Sequence, residues 1–246
     1  MRRQDQQFRI CSYNIHKGFG AANRRFKLDD MRSAIRSIDA DICFLQEVVG
    51  HQLAYSGGEL QGTESQFEFL ADSIWTHYAY GKNAIVEEGH HGNAILSKFP
   101  FVQWRNVDVS RWRFSRRGLL FGRLDNGVCL ICAHLGLLAA ERRYQIRRLR
   151  ELLRSECSHG EPVIVAGDFN DWRMQIDKVM CNELGFTEVF SEHQGRPARS
   201  FPAILPLLRV DRVYYRNMDL LDARLLRGGI WRRLSDHAAL TATFHL

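Results

Sequence analysis

Pro162–Asn170 reads "PVIVAGDFN". A proline opens it, a run of β-branched and small apolar residues follows, and Asp168 and Asn170 close it. A short apolar run bounded by turn residues is the pattern of a buried strand. Upstream, "ERRYQIRRLRELLR" (141–154) has the spacing of an amphipathic helix with Tyr144, Leu149, Leu152 and Leu153 inward. Its arginines form either a solvated face or a track for a polyanion. Before it, "GVCLICAHL" (127–135) is a second buried strand, ending in His134. Downstream come a short helix over 175–184, a strand in "RVDRVYY" (209–215) and a last strand in "AALTATF" (238–244).

The alternation continues toward the N-terminus. Strands are expected at 8–15, 41–48, 92–101 and 117–124, and helices at 27–39 and 65–75. The 27–39 helix carries Leu28, Met31, Ile35 and Ile38 on one side. Strands interleaved with helices imply a layered α/β architecture. Residues 49–64 have the least pattern, and 191–208 is a second long connection. Long connections in a compact domain are often functional.

With 246 residues, 45% of them hydrophobic, the chain can bury a substantial core. No linker composition, low-complexity tract or repeat divides it, so one domain is expected over 1–246, with its core over about 8–244. The net charge of +6 favours an anionic partner. No apolar leader or long apolar run stands in the sequence, so a cytoplasmic protein without a transmembrane segment is expected. Cys129 and Cys132 form a C-x-x-C, but an offset of three on a strand points them to opposite faces, against a shared metal.

Polar residues cluster at strand ends. Asn14 ends the first strand, Gln46 and Glu47 the second, and His134 and the Asp168/Asn170 pair end two more. Asp211 lies in "RVDRVYY", and Asp236 and His237 precede the last strand. Each alone has a plain structural reading: a turn, a helix cap, an Asx-turn, a satisfied core histidine. Their repetition suggests convergence on one rim, where α/β folds bind ligands. Ser235, Asp236 and His237 are adjacent, so as a strand begins they point in alternating directions. They cannot easily relay a proton as a hydrolase triad would.

Taken together, "NIHKG", "LQEV", "GNAILSKFP", "CAHLG", "VAGDFND", "RVDRVYY" and "LSDH" occur in the order of the endonuclease/exonuclease/phosphatase, or DNase I-like, superfamily. The chain resembles that superfamily from about residue 9 to 244, and is most similar to a small bacterial branch of it. The resemblance implies a four-layer α/β sandwich: two mixed β-sheets packed face to face, with helices outside. It implies hydrolysis of phosphate esters with Mg2+, or alternatively Mn2+. Glu47, Asn14 and Asp236 then correspond to the metal end of the site. Asp168 corresponds to the residue that orients or deprotonates water, and Asn170 to a phosphate-holding amide. His134 and His237 flank the phosphate, with Asp211 orienting His237. His91, Asn93 and Arg117 are further candidates for substrate contact, and His16 and Lys17 for the rim.

Substrate choice lies in the loops. Val48 stands where the similar repair nucleases have lysine, and "RSFPAILPLLRV" (199–210) lacks their aromatic cluster, which argues against abasic-site repair. The expected partner is an anionic phosphate ester: nucleic acid, or a phospholipid or other small phosphodiester, with inositol phosphates as a further class. The apolar 199–210 segment either packs on the core or meets lipid, which keeps peripheral membrane contact open. A monomer is expected. A silent binding module with the same fold and a serine hydrolase are the competing classes.

Overall fold

The computed structural model describes residues 7–20, 27–52, 65–86 and 89–246. Residues 53–64, most of the stretch lacking a clear pattern, lie outside them. The first sheet contains β1 (Gln7–Asn14), β2 (Ile42–Gln52), β3 (His77–Val86), β4 (Gly89–Ser97), β11 (Asp219–Leu226) and β12 (Ala239–His245). Its order is β11-β12-β1-β2-β4-β3. The second contains β5 (Phe101–Asp108), β6 (Gly118–Leu124), β7 (Cys129–His134), β8 (Val163–Asp168), β9 (Thr187–Glu188) and β10 (Asp211–Arg216). Its order is β5-β6-β7-β8-β10-β9. Each sheet is mixed: β1–β2 and β7–β8 are parallel, and their other neighbours are antiparallel.

Three apolar clusters define the layers. One draws Phe8, Ile10, Phe44 and Ile95 from the first sheet against Leu120, Leu130, Ile164 and Val213 of the second. Two sheets burying their inner faces on each other is the β-sandwich solution. A second cluster packs α3 (Ala139–Glu156) and α4 (Gln175–Asn182) on the outer face of the second sheet, through Ile146, Leu149, Ile176 and Met180. The third packs α1 (Leu28–Ser37) and α2 (Gln66–Ala71) on the first, through Leu28, Met31, Ile35 and Leu70. The result is the expected four-layer α/β sandwich. Cys129 belongs to the outer cluster and Cys132 to the inner one, so the C-x-x-C is divided between two faces.

Several boundaries differ from the sequence reading. The strand expected over 92–101 ends at Ser97, and Phe101 begins a new strand in the other sheet, with Pro100 between them. The helix expected over 65–75 is only α2. Ser65 and Glu68 form its capping box, and Asp72 stops it at φ 44°. Trp75 then turns into the core, donating to the Ala40 carbonyl at 3.0 Å. The 191–208 connection begins inside a helix, α5 (Val189–Gln194).

Asn93 is corrected from a substrate candidate to a structural tie. It is fully buried on β4, and its amide donates to the carbonyls of Gly118 (3.0 Å) and Cys132 (3.2 Å) across the sandwich. Asn93→Ala removes both bonds and leaves a small void. It should cost about 2–3 kcal/mol in urea unfolding. A loss below about 0.5 kcal/mol would show that the tie carries no weight.

Candidate active site

The register of the strands assembles the site. β7 and β8 are parallel, so their C-terminal ends coincide and His134 stands beside Asp168. β10 runs antiparallel to β8, so its first residue, Asp211, also registers with Asp168. In the first sheet, parallel β1 and β2 align Asn14 with Gln46. Ser235 fastens the start of β12 to this edge, its hydroxyl donating to the Asn14 carbonyl at 2.7 Å. Ser235 is fully buried and serves the turn rather than catalysis.

Local distortions aim the side chains. β2 bulges between Leu45 and Val48, and Glu47 adopts φ 55°, a left-handed conformation that a glutamate rarely takes. Asn170 sits at φ 50°, which asparagine tolerates better. Gly167 is required by geometry: at φ 142°, an added Cβ would lie 1.9 Å from the Ala133 carbonyl oxygen.

Asp168 is the hub. Its Oδ1 accepts from the Asn170 backbone N–H at 2.9 Å. Its Oδ2 meets three side-chain nitrogens: Asn14 Nδ2 at 3.3 Å, His134 Nε2 at 3.6 Å and His237 Nε2 at 3.9 Å. His237 Nδ1–H donates to Asp211 Oδ2 at 2.8 Å, and Phe201 packs on the imidazole at 4.9 Å between ring centres. The Asn170 side chain donates to the Leu135 carbonyl at 2.9 Å, which fixes the amide in place.

Environment drives the charges apart. Burial, together with the Asp211 and Glu47 carboxylates, raises Asp168 to about 7 despite the opposing pull of His237. Burial opposes protonation of His237, but Asp211 above all, then Asp168 and Asp236, hold it up at about 10. His134 is pushed down to about 3 by burial and by Arg117, so it is neutral at pH 7. Glu47 resists the effect of burial and stays below the usual carboxylate range, owing to His134, Lys17 and the Asn14 amide. With His134 neutral, Lys17 and Asn14 are the partners that act near pH 7.

The cleft is about 290 Å³ and is lined by Glu47, Arg117, His134, Asp168, Asn170 and His237. Leu137, Trp172, Phe201, Leu208 and Val210 form its apolar remainder. Sequence reading did not assign Leu137 or Trp172 to the site; Trp172, two residues beyond Asn170, was the available signal. Arg117, a candidate for substrate contact, lines this cleft. His91 is half-buried, and its pKa is lowered chiefly by burial and then by Lys17.

Two sets of residues bear on cation binding. Asp168, Asp211 and His237 offer atoms within 4.8 Å of one another. That trio is already joined by the His237–Asp211 hydrogen bond, and a protonated imidazole at its centre repels a cation. The other set is Glu47, Asn14 and Asp236. Asn14 donates to Glu47 Oε1 at 3.4 Å, and Ser235 connects the Asn14 carbonyl to Asp236 Oδ1 at 3.3 Å. Carboxylate and amide oxygens at a half-open edge are the donor type that magnesium takes while keeping several waters. His16 Nδ1 stands 3.5 Å from Asp236 Oδ1 at the same rim.

The pattern of the Endonuclease/Exonuclease/phosphatase family matches residues 11–237. The chain is 45% identical to the Escherichia coli (strain K12) protein "Uncharacterized protein YbhP" over 249 aligned positions, covering 99% of this chain and 98% of the other. Among solved structures, an endonuclease/exonuclease/phosphatase from Beutenbergia cavernae superposes with a TM-score of 0.79 at 20% identity, over 98% of this chain and 72% of that one. TDP2 of D. rerio, complexed with a single strand DNA product, superposes with a TM-score of 0.71 at 18% identity, over 98% and 100%. At these identities the two structures establish the fold.

The raised pKa of Asp168 has a consequence for stability. Its native state holds a proton more tightly than the unfolded chain, so the stability involved is present below about pH 3.8 and is lost as pH rises through about 7. Asp168→Asn should therefore gain on the wild type, in metal-free buffer, by about 2–4 kcal/mol between about pH 4 and pH 8. Urea unfolding at several pH values checks this; a difference independent of pH would refute it.

Proposed function

The chain belongs to the endonuclease/exonuclease/phosphatase family, and on that premise we propose that it is a magnesium-dependent phosphodiesterase. The reading rests on one observation above the rest. A carboxylate with a pKa near 7, Asp168, stands between a charged histidine fixed by Asp211 and a neutral one. A general base works best with a pKa near the working pH. In this reading Asp168 takes the proton of the water that attacks phosphorus.

The other residues hold the phosphate. His237 donates from Nε2 while its Nδ1–H remains on Asp211, which fixes the ring in one orientation. As the charged histidine, it can return a proton to the departing oxygen. His134, neutral at pH 7, contributes an N–H hydrogen bond and no charge. Asn170 has one amide hydrogen free of the Leu135 carbonyl to bind a phosphate oxygen. Arg117 supplies a permanent positive charge to the same cleft. Glu47, with Asn14 and Asp236, would hold Mg2+, or Mn2+ in its place. When bound, the ion polarises the phosphoryl group and offsets developing negative charge. The net charge of +6 suits an anionic ester.

Turnover of bis(p-nitrophenyl) phosphate tests the reading. EDTA should abolish it and added Mg2+ restore it. Glu47→Ala and His237→Ala should each lower kcat by on the order of 10²-fold or more. Full activity in EDTA, or in both variants, would overturn the assignment. Ligand binding without turnover under any metal would instead identify a silent binding module.

A further inference from the structure

The connection from α5 to β10 displays aliphatic side chains instead of burying them. Ile204, Leu205 and Leu207 are 52%, 64% and 56% exposed. The backbone beneath them is nonetheless closed. The Leu207 and Leu208 N–H groups donate to the Phe201 carbonyl at 2.9 and 2.7 Å, and Leu205 N–H donates to Pro202 at 3.0 Å. Ala203 N–H donates to the Asp236 carbonyl at 2.7 Å, and the Arg232 guanidinium holds the Ile204 carbonyl at 2.8 Å. A loop anchored this way keeps its apolar tip outward. The same loop supplies Phe201 and Leu208 to the catalytic cleft.

The tip adjoins a cationic groove through Pro206. This groove of about 420 Å³ is lined by Arg196, Arg199, Arg209 and Arg227, with Pro206 and Leu225. Asp222, on the neighbouring strand, is engaged by Arg224 at 2.8 Å, and no described carboxylate pairs with the four groove arginines. Arg209 Nε is buried without a hydrogen-bond partner. Burial and repulsion from Arg199, Arg212 and Arg196 both act against the Arg209 charge. Guanidinium groups crowded without a counter-charge are relieved by an anion, and phosphate matches their geometry.

We propose that this loop is a docking element for an anionic phospholipid surface, with the groove arginines on headgroup phosphates and Ile204, Leu205 and Leu207 in the acyl boundary. Basic groups beside an aliphatic tip are the combination that binds an anionic interface. A single-strand nucleic-acid groove would instead pair its cations with aromatic platforms, and this tip carries no aromatic ring. Docking on this loop sets the cleft at headgroup level, so the substrate class becomes the phosphodiester of a phospholipid headgroup. That last step rests on the phosphodiesterase reading; the docking does not.

Vesicle flotation in EDTA, where turnover is stopped, isolates the docking. The full chain should float with phosphatidylcholine vesicles containing phosphatidylglycerol and stay behind with phosphatidylcholine alone. Leu205→Asp/Leu207→Asp and, separately, Arg196→Glu/Arg199→Glu should each lower the bound fraction at least fivefold. Thermal unfolding within a few degrees of wild type confirms that each variant folds. Absence of flotation by the wild type, or flotation unaffected in both folded variants, would overturn the docking and leave the phosphodiesterase assignment standing. Displacement from vesicles by a single-strand oligonucleotide at equal phosphate concentration would reassign the arginines to nucleic acid and overturn it too. Flotation without hydrolysis of any phosphodiester under Mg2+ or Mn2+ would uphold the docking and reject the phosphodiesterase.

Discussion

The site depends on one contact between the two sheets, the hydrogen bond from Asn14 at the end of β1 to Asp168 at the end of β8. At 3.3 Å it spans the sandwich at its edge, so its length is set by how the sheets pack. That packing is the inner core, where Phe8, Phe44 and Phe244 meet Leu120, Leu130 and Ile164. Close-packed interiors resist compression and shear. Asn93 is one of the further polar ties between the same layers. The carboxylates, imidazoles and amides at the edge therefore inherit positions that the apolar middle determines.

The core also sustains unfavourable local geometry. Glu47 and Asn170 take positive φ, as do His16 and Lys17 in the turn after β1. Each is costly for a residue with a Cβ, by roughly 1–3 kcal/mol. Burying Asp168 adds an electrostatic cost that its hydrogen bonds from Asn170 and Asn14 only partly offset. Such conflicts gather where function needs them and are balanced elsewhere in the fold. Here Glu47, Asn170 and the buried Asp168 bring such conflicts to the strand ends that form the site.

This explains which parts of the molecule were legible in the sequence. The strands read in advance, from "FRICSYNI" to "AALTATF", are the inner ones, covered on both faces and marked by apolar runs. The unread strands are β3, β5, β9 and β11, and they are the edges of the two sheets. β5 shows why: Val102, Gln103, Trp104 and Arg105 are exposed, so no apolar run or clean alternation marks it. The polar residues at the strand ends were legible because they interrupt apolar runs. Their register was not: that His134, Asp168 and Asp211 share one rung follows from the order β7-β8-β10, which no local pattern encodes. Asn93 was misread for the same reason. Its motif placed it near the site, and only the packing of β4 on β6 and β7 shows that it faces inward.

The ionisation pattern carries the argument from structure toward chemistry. Asp168 and Glu47 are both carboxylates in one cleft, yet the first is raised and the second lowered. His237 and His134 are likewise split, one raised and one lowered. Titratable pairs pushed apart by their surroundings can take different tasks at one pH. Asp168 is raised because it is buried beside Asp211 and Glu47; Glu47 is lowered by His134, then by Lys17 and the Asn14 amide. A cation at Glu47 would lower Asp168 as well, since both face the same cleft. The two carboxylates are also joined directly, because the Asn14 amide donates to both.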